Sequence, residues 1–349
     1  MLKKGLGAGI ILLFTIALTA CGGGNNATGG SNNGQPAATN TATQTAASPA
    51  AQPAETAQAS AAPAADASGE TRTITYLGKD YELPAKTERI VIAGAVEAME
   101  DALVLDVQPV GAISFGGAFP PLFGPVTKNA VSIGEKTEPN FEAILSLKPD
   151  VILGSTKFPE EVAEKLNQIA PTILVSHIST NWEANLHLLG QISGKEAQAE
   201  EAITKYKADL EQAKATLGEK LKGKKAAVVR VRQGKMFVYP ADVYFNPVIY
   251  EELGMDVPAE IAAAKAQEKL SVEKFAEMNP DYLFIQFAEN ENPDSPKALE
   301  ELQNNPIIKN SAAFKNGTAY INVVDPLAQG GTAFSKIEFL KAVVNELSK

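Results

Sequence analysis

The 349-residue chain carries 31 Lys and Arg against 41 Asp and Glu, a formal net charge of −10, which makes it a poor partner for nucleic acid. Its single cysteine excludes an internal disulfide, and with only two histidines, His177 and His187, it cannot build a Cys/His metal cluster. No GxGxxG, P-loop or GxSxG pattern is present, so nothing signals a nucleotide fold or a hydrolase nucleophile, and the chain is not expected to be an enzyme.

In chain order, Lys3 and Lys4 precede an apolar run from Gly5 to Leu18. That run is shorter than the ~20 residues a spanning helix needs and has the layout of a signal peptide over 1–20. Leu-Thr-Ala-Cys at 18–21 resembles the lipobox of bacterial lipoproteins. The resemblance implies that Cys21 receives lipid (palmitate among its chains) and becomes the mature N-terminus. The expected location is the extracytoplasmic face of the cell membrane, with the lipid as anchor. Residues 21–70 are Gly, Asn, Ala, Thr, Gln, Ser and Pro with almost no large apolar side chain. Such a stretch buries too little to offset its ordering entropy and is expected to be a disordered tether.

From residue 71 the composition becomes globular, with enough chain for two lobes. Ile74 to Tyr81 alternates about Gly78-Lys79 as a hairpin would. A buried strand from Arg89, a helix over Val96–Leu105 and a strand over 109–114 follow, the order of parallel α/β units. NFEAILSLKPDVIL at 140–153 is then echoed by SVEKFAEMNPDYLFI at 271–285. In each copy Asn140 or Ser271 is a good N-cap, Glu142 or Glu273 falls in the first helical turn, and Pro149 or Pro280 ends the helix ahead of a strand. A unit built twice predicts two similar lobes. Between them, Gly194 to Leu221 lacks Pro and repeats its apolar residues at helical spacing, which predicts one stiff connecting helix on the order of 40 Å long. The expected fold is therefore α/β: an N-terminal lobe (71–193), a connecting helix (194–222) and a C-terminal lobe (223–349), each lobe with a mostly parallel sheet, and a ligand cleft between the lobes.

Residues 226–240, AAVVRVRQGKMFVYP, place Arg230 and Arg232 two apart in a strand, on one face and in apolar company. Two such cations need an anion. The sequence leaves two sources open, acids at a sheet edge or a ligand in the cleft.

The stretches ERIVIAGAVEAMEDALVLDVQPVGA (88–112), EPNFEAILSLKPDVILGS (138–155), LLGQISGKEAQAEEAI (188–203) and LSVEKFAEMNPDYLFI (270–285), in this order and spacing, resemble the substrate-binding lipoproteins of bacterial iron-siderophore ABC importers. That resemblance implies capture of a ferric siderophore between the lobes and delivery to a permease dimer. Glu142 and Glu273 would be the docking residues, one per lobe. The chelate would bring its own iron ligands, so no protein-bound metal or cofactor is expected.

By the same resemblance, Arg230 and Arg232 stand where relatives place cleft arginines, whose planar forks match paired oxygens. Lys157 occupies the loop position of a ligand-contacting residue. Phe115 and Phe119 in SFGGAF, Tyr239 and Tyr244 around Pro240, and Gln286 after DYLFI complete the candidate set. His177 is a weaker candidate, and His187 is expected to pack or face solvent. Counting only three cations, Lys157, Arg230 and Arg232, favours a weakly charged hydroxamate. Catecholate, citrate-type and haem ligands stay open as alternatives.

Overall fold

The computed structural model describes residues 70–349; the signal segment, Cys21 and the tether up to residue 69 lie outside the described residues. Strands β1 (Thr71–Tyr76) and β2 (Lys79–Pro84) form the expected hairpin, with Tyr76 opposite Lys79. Its turn is Leu77-Gly78, one residue earlier than Gly78-Lys79, and both residues take positive φ, 48° and 78°. That backbone twist suits a two-residue hairpin turn. The Tyr76 hydroxyl donates to Asn185 Oδ1 at 2.5 Å and accepts from the Ser176 N–H at 2.8 Å, which pins the hairpin to the first lobe.

The first lobe is built on β3 (Ile90–Ile92), β4 (Gly111–Ser114), β5 (Val131–Glu135), β6 (Val151–Ser155) and β7 (Thr172–Val175). These run in the order β5-β4-β3-β6-β7, all parallel. Every residue of β3 and β6 is buried, as a parallel sheet covered on both faces requires. The second lobe uses β8 (Ala226–Arg232), β9 (Lys235–Val238), β10 (Glu268–Leu270), β11 (Tyr282–Phe287) and β12 (Ala319–Ile321), in the order β10-β9-β8-β11-β12. Here β8, β11 and β12 are parallel, while β9 and β10 add an antiparallel edge.

The repeated unit does the same job twice. Asn140 caps the helix Phe141–Ser146 by accepting from the Ala143 N–H at 3.0 Å, and Ser271 caps Val272–Met278 by accepting from the Lys274 N–H at 3.2 Å. After each proline the aspartate turns back onto the neighbouring central strand. Asp150 accepts from the N–H groups of Glu88 and Arg89 at 2.7 and 2.8 Å, just before β3, and Asp281 accepts from the Lys225 N–H at 2.9 Å, just before β8. The motif thus sets the register of the pair β3–β6 in one lobe and β8–β11 in the other.

The connecting helix spans Glu196–Leu221, 26 residues, with Ala199, Ile203, Tyr206, Leu210, Ala213, Leu217 and Leu221 forming its buried stripe. The last helix, Ala333–Leu347, also crosses back: it packs against Val96–Leu105 of the first lobe and against the connecting helix. At this joint Lys336, almost fully buried, pairs with Glu252 Oε1 at 2.7 Å, and the Tyr206 hydroxyl donates to the other oxygen of Glu252. The ammonium lies 5.6 Å from the ring centroids of both Trp182 and Tyr206. Side chains from four separate elements meet on one buried ion pair.

Candidate ligand-binding cleft

Parallel strands end where ligands of open α/β sheets bind, and five basic residues gather at those ends. Lys136 follows β5 directly, Lys157 stands two residues beyond β6, His177 two beyond β7, and Arg230 and Arg232 close β8. All five line one cavity of about 490 Å³ between the lobes, together with Glu97, Tyr239, Asp242, Tyr244, Gln267, Gln329 and Thr332. Residues of the first lobe form one wall and residues 230–332 the other.

Lys136 is the residue the sequence reading missed. Burial depresses its pKa, and the charges of Lys157, Arg230 and Arg232 push it down further, against the opposing pull of Glu97. Four cations thus share one space, with Glu97 and Glu291 offsetting part of their charge. The available signal was positional, since Lys136 is the first residue past β5, Val131–Glu135. Recognising VSIGE as a strand would have exposed it.

On the first-lobe side, Lys157 Nζ is 3.4 Å from Glu97 Oε1. His177 accepts or donates at Nδ1 to the Thr156 hydroxyl at 2.7 Å, and burial together with Lys157 lowers its pKa. His187 lies outside the cavity, with Nε2 3.6 Å from Glu200.

The two arginines answer the question their strand raised, and the anion is inside the protein. Arg230 donates Nε and Nη2 to the two oxygens of Glu291 at 2.9 and 2.8 Å, and Arg232 Nη2 lies 3.1 Å from Glu291 Oε1. Arg232 Nη1 also donates to Gln267 Oε1 at 3.0 Å. Arg230 is only 7% exposed and sits 5.5 Å from the centroid of the Tyr244 ring. Tyr244 in turn stacks with Tyr239 at 4.7 Å, holds a positive φ of 64°, and keeps a buried hydroxyl without a hydrogen-bond partner among the described residues. Burial raises the pKa of that hydroxyl.

Arg230, Arg232, Lys157, Tyr239 and Tyr244 are therefore brought together. Three expected residues are not. Phe115 stacks on Phe123 with centroids 6.1 Å apart, and Phe119 packs with it against the first-lobe core, so neither lines the cavity. The reason is the turn: Gly116 and Gly117 fold SFGGAF into a tight hairpin whose N–H groups both donate to the carboxylate of Glu135. Gln286 is level with Arg230 in the pairing of β11 with β8, but it is 2% exposed and does not line the cavity. Its position before the end of a fully buried strand keeps it inside.

A buried carboxylate holds the cleft-lining residues Gln329 and Thr332. Glu100, wholly buried on Val96–Leu105, accepts from the Gln329 N–H at 2.7 Å, the Ser335 hydroxyl at 2.5 Å and the Thr332 hydroxyl. Burial pushes its pKa up to about 7 against those three donors. Among the described residues no group of three or more His, Cys, Asp or Glu is arranged to hold a metal ion.

The family model for periplasmic binding proteins matches residues 117–321. The chain is 50% identical over 292 residues to the iron-uptake system-binding protein of Bacillus subtilis (strain 168), covering 84% of this chain and 92% of that protein. It is 30% identical over 264 residues to the probable siderophore-binding lipoprotein YfiY of the same organism, covering 72% of this chain and 80% of the relative. The crystal structure of the triscatecholate siderophore binding protein FeuA from Bacillus subtilis, complexed with ferri-bacillibactin, superimposes with a TM-score of 0.75 at 52% identity, covering 79% of this chain and 98% of FeuA. With the family model spanning more than half of its length, this two-lobed chain belongs to the periplasmic binding protein family.

Proposed function

We propose that the protein is the substrate-binding component of an iron-siderophore ABC importer and that its ligand is a ferric triscatecholate. The observation that carries this reading is the convergence of Lys136, Lys157, Arg230 and Arg232, from both lobes, on one cavity. A ferric triscatecholate is a trianion, and cations from two walls attract it more strongly than they attract a neutral chelate. The expectation of a hydroxamate rested on three cations; Lys136 makes four, and a relative with half of its residues identical is described as a triscatecholate binder. The iron is cargo inside the chelate. Lys157 and Arg232 offer hydrogen-bond donors to its oxygens, and Tyr239, Tyr244 and Arg230 back them.

Glu142 and Glu273 support the delivery step. Each is the second residue of its helix, exposed, and outside any ion pair among the described residues. On this reading they dock the two lobes on arginines of the permease. Lipid on Cys21 anchors the protein to the extracytoplasmic membrane face, a placement supported by relatives named as lipoproteins.

The test is a melting series on the purified full chain with ferri-bacillibactin, a neutral ferric trihydroxamate, ferric citrate and haem. At a hundredfold excess over its Kd a specific ligand stabilises the fold by about 2.7 kcal/mol. Ferri-bacillibactin is expected to give the largest shift. A larger shift from the neutral trihydroxamate, with none from ferri-bacillibactin, refutes the triscatecholate reading.

A further inference from the structure

We infer that Glu291 is a positioning residue for ligand recognition: it holds Arg232 in its cleft-facing orientation, and Arg230 serves as the buried anchor of Glu291, not as a second ligand-facing group. The inference deepens the reading above and rests on it only for the identity of the ligand.

The two arginines differ in what they have left to give. Arg230 is nearly inaccessible and spends Nε and Nη2 on both oxygens of Glu291. A carboxylate held by two parallel N–H donors cannot rotate. Its backbone is fixed as well. The Gln233 N–H donates to the Glu291 carbonyl at 3.0 Å, and the buried Asn292 beside it donates to the carbonyls of Val231 and Ala288 at 2.9 and 2.8 Å while accepting from the Gly234 N–H at 3.0 Å. The turn that carries Glu291 is thereby tied to the β8–β9 turn on both sides.

Arg232 is gripped by this fixed group and by one other. Its Nη2 lies 3.1 Å from Glu291 Oε1, and its Nη1 donates to Gln267 Oε1 at 3.0 Å. Gln267 is itself held, because the same oxygen accepts from the Tyr239 hydroxyl at 3.1 Å. With its side chain 39% exposed on the cavity wall, Arg232 keeps Nε and the outer N–H bonds free. A long side chain already ordered before the ligand arrives does not lose that freedom on binding. The carboxylate also answers a Coulombic necessity: two guanidinium groups on one strand face repel each other unless an anion stands between them.

The experiment compares E291Q, R232A and the double variant R232A/E291Q as full chains, with ferri-bacillibactin as the probe in calorimetric titration. E291Q is expected to weaken binding roughly tenfold, as a misdirected charge-assisted donor should. In the R232A background the same change is expected to cost less than about twofold, because its effect runs through Arg232. Losses that multiply in the double variant, or an E291Q affinity equal to that of the parent, overturn the inference. A ligand-free crystal structure of E291Q provides a readout independent of the siderophore: Arg232 is expected to leave Gln267, and an Arg232 that stays in place overturns the positioning role even if the chelate is something else. Should E291Q fold poorly with Arg230 uncompensated, R230M/E291M removes both buried charges and tests the same displacement of Arg232.

Discussion

Lys136 carries its ammonium into a space already occupied by the fields of Lys157, Arg230 and Arg232, so its charge is costly in the empty cleft and rewarded once an anion enters. Replacing it with alanine is expected to weaken ferri-bacillibactin ten- to a hundredfold, about the 1.5–3 kcal/mol of one charged hydrogen bond, with little change for a neutral trihydroxamate; equal losses for both chelates in calorimetry contradict the electrostatic role. Glu100 makes a different prediction. Its pKa stands near 7 in the folded protein, above the ordinary 4.5, so between those values the folded state holds a proton that the unfolded chain has released. Stability contributed by this group is therefore present below about pH 4.5 and lost as pH rises towards 7, by about 3 kcal/mol in all. Asp101, also raised by burial and by the neighbouring Glu100, slopes the same way. Urea denaturation from pH 5 to pH 8 is expected to show a flatter loss of stability in E100Q than in the parent, and parallel curves refute the assignment. Little of this was legible in residue type. The sequence places Glu97, Glu100 and Asp101 on the expected helix Val96–Leu105 and says nothing of their burial, which the fold alone produces.

At the scale of elements, the segment 329–332 approaches both walls of the cleft through Gly330 and Gly331. A Cβ on Gly330, which has φ of 84°, would lie 2.7 Å from the Phe245 N and 2.8 Å from the Tyr244 Cα, and one on Gly331 would lie 2.8 Å from the Ser179 Cβ. The first obstacle is backbone and cannot yield cheaply. G330A is expected to lower stability by at least about 2 kcal/mol through strain and collision together and to displace Tyr244; a melting curve like that of the parent removes Gly330 from this role. The caps, the helix-ending prolines and the hairpin were legible because each is decided within a few residues. Asn140 and Ser271 bond three positions ahead, so the sequence states both partners at once. The turn in SFGGAF was not legible for the opposite reason, since the carboxylate that accepts from its glycine N–H groups is Glu135, 18 and 19 positions away.

For the whole molecule, the lobes are joined twice, by the connecting helix and by the final helix, which carries Lys336 in its first turn. Replacing Lys336 with methionine leaves the half-buried Glu252 without its cation and is expected to cost about 2–3 kcal/mol, below the range for fully buried broken pairs; urea denaturation followed by the fluorescence of Trp182, which lies under that ammonium, measures it, and a loss below about 1 kcal/mol counts against the joint. Changing Glu142 and Glu273 together to alanine is expected to abolish uptake in cells with binding and melting unaltered; retained uptake rules out docking through them. What the sequence determined by itself was the two-lobed α/β plan and its connecting helix, because periodicity, caps and prolines act over a turn or a strand. Tertiary structure alone decided which groups meet in the cleft. Arg230 finds Glu291 across 61 residues, and Glu100 finds Gln329 and Ser335 across 229 and 235. Such partners are chosen by how sheets and helices stack, and a local pattern contains no record of that choice.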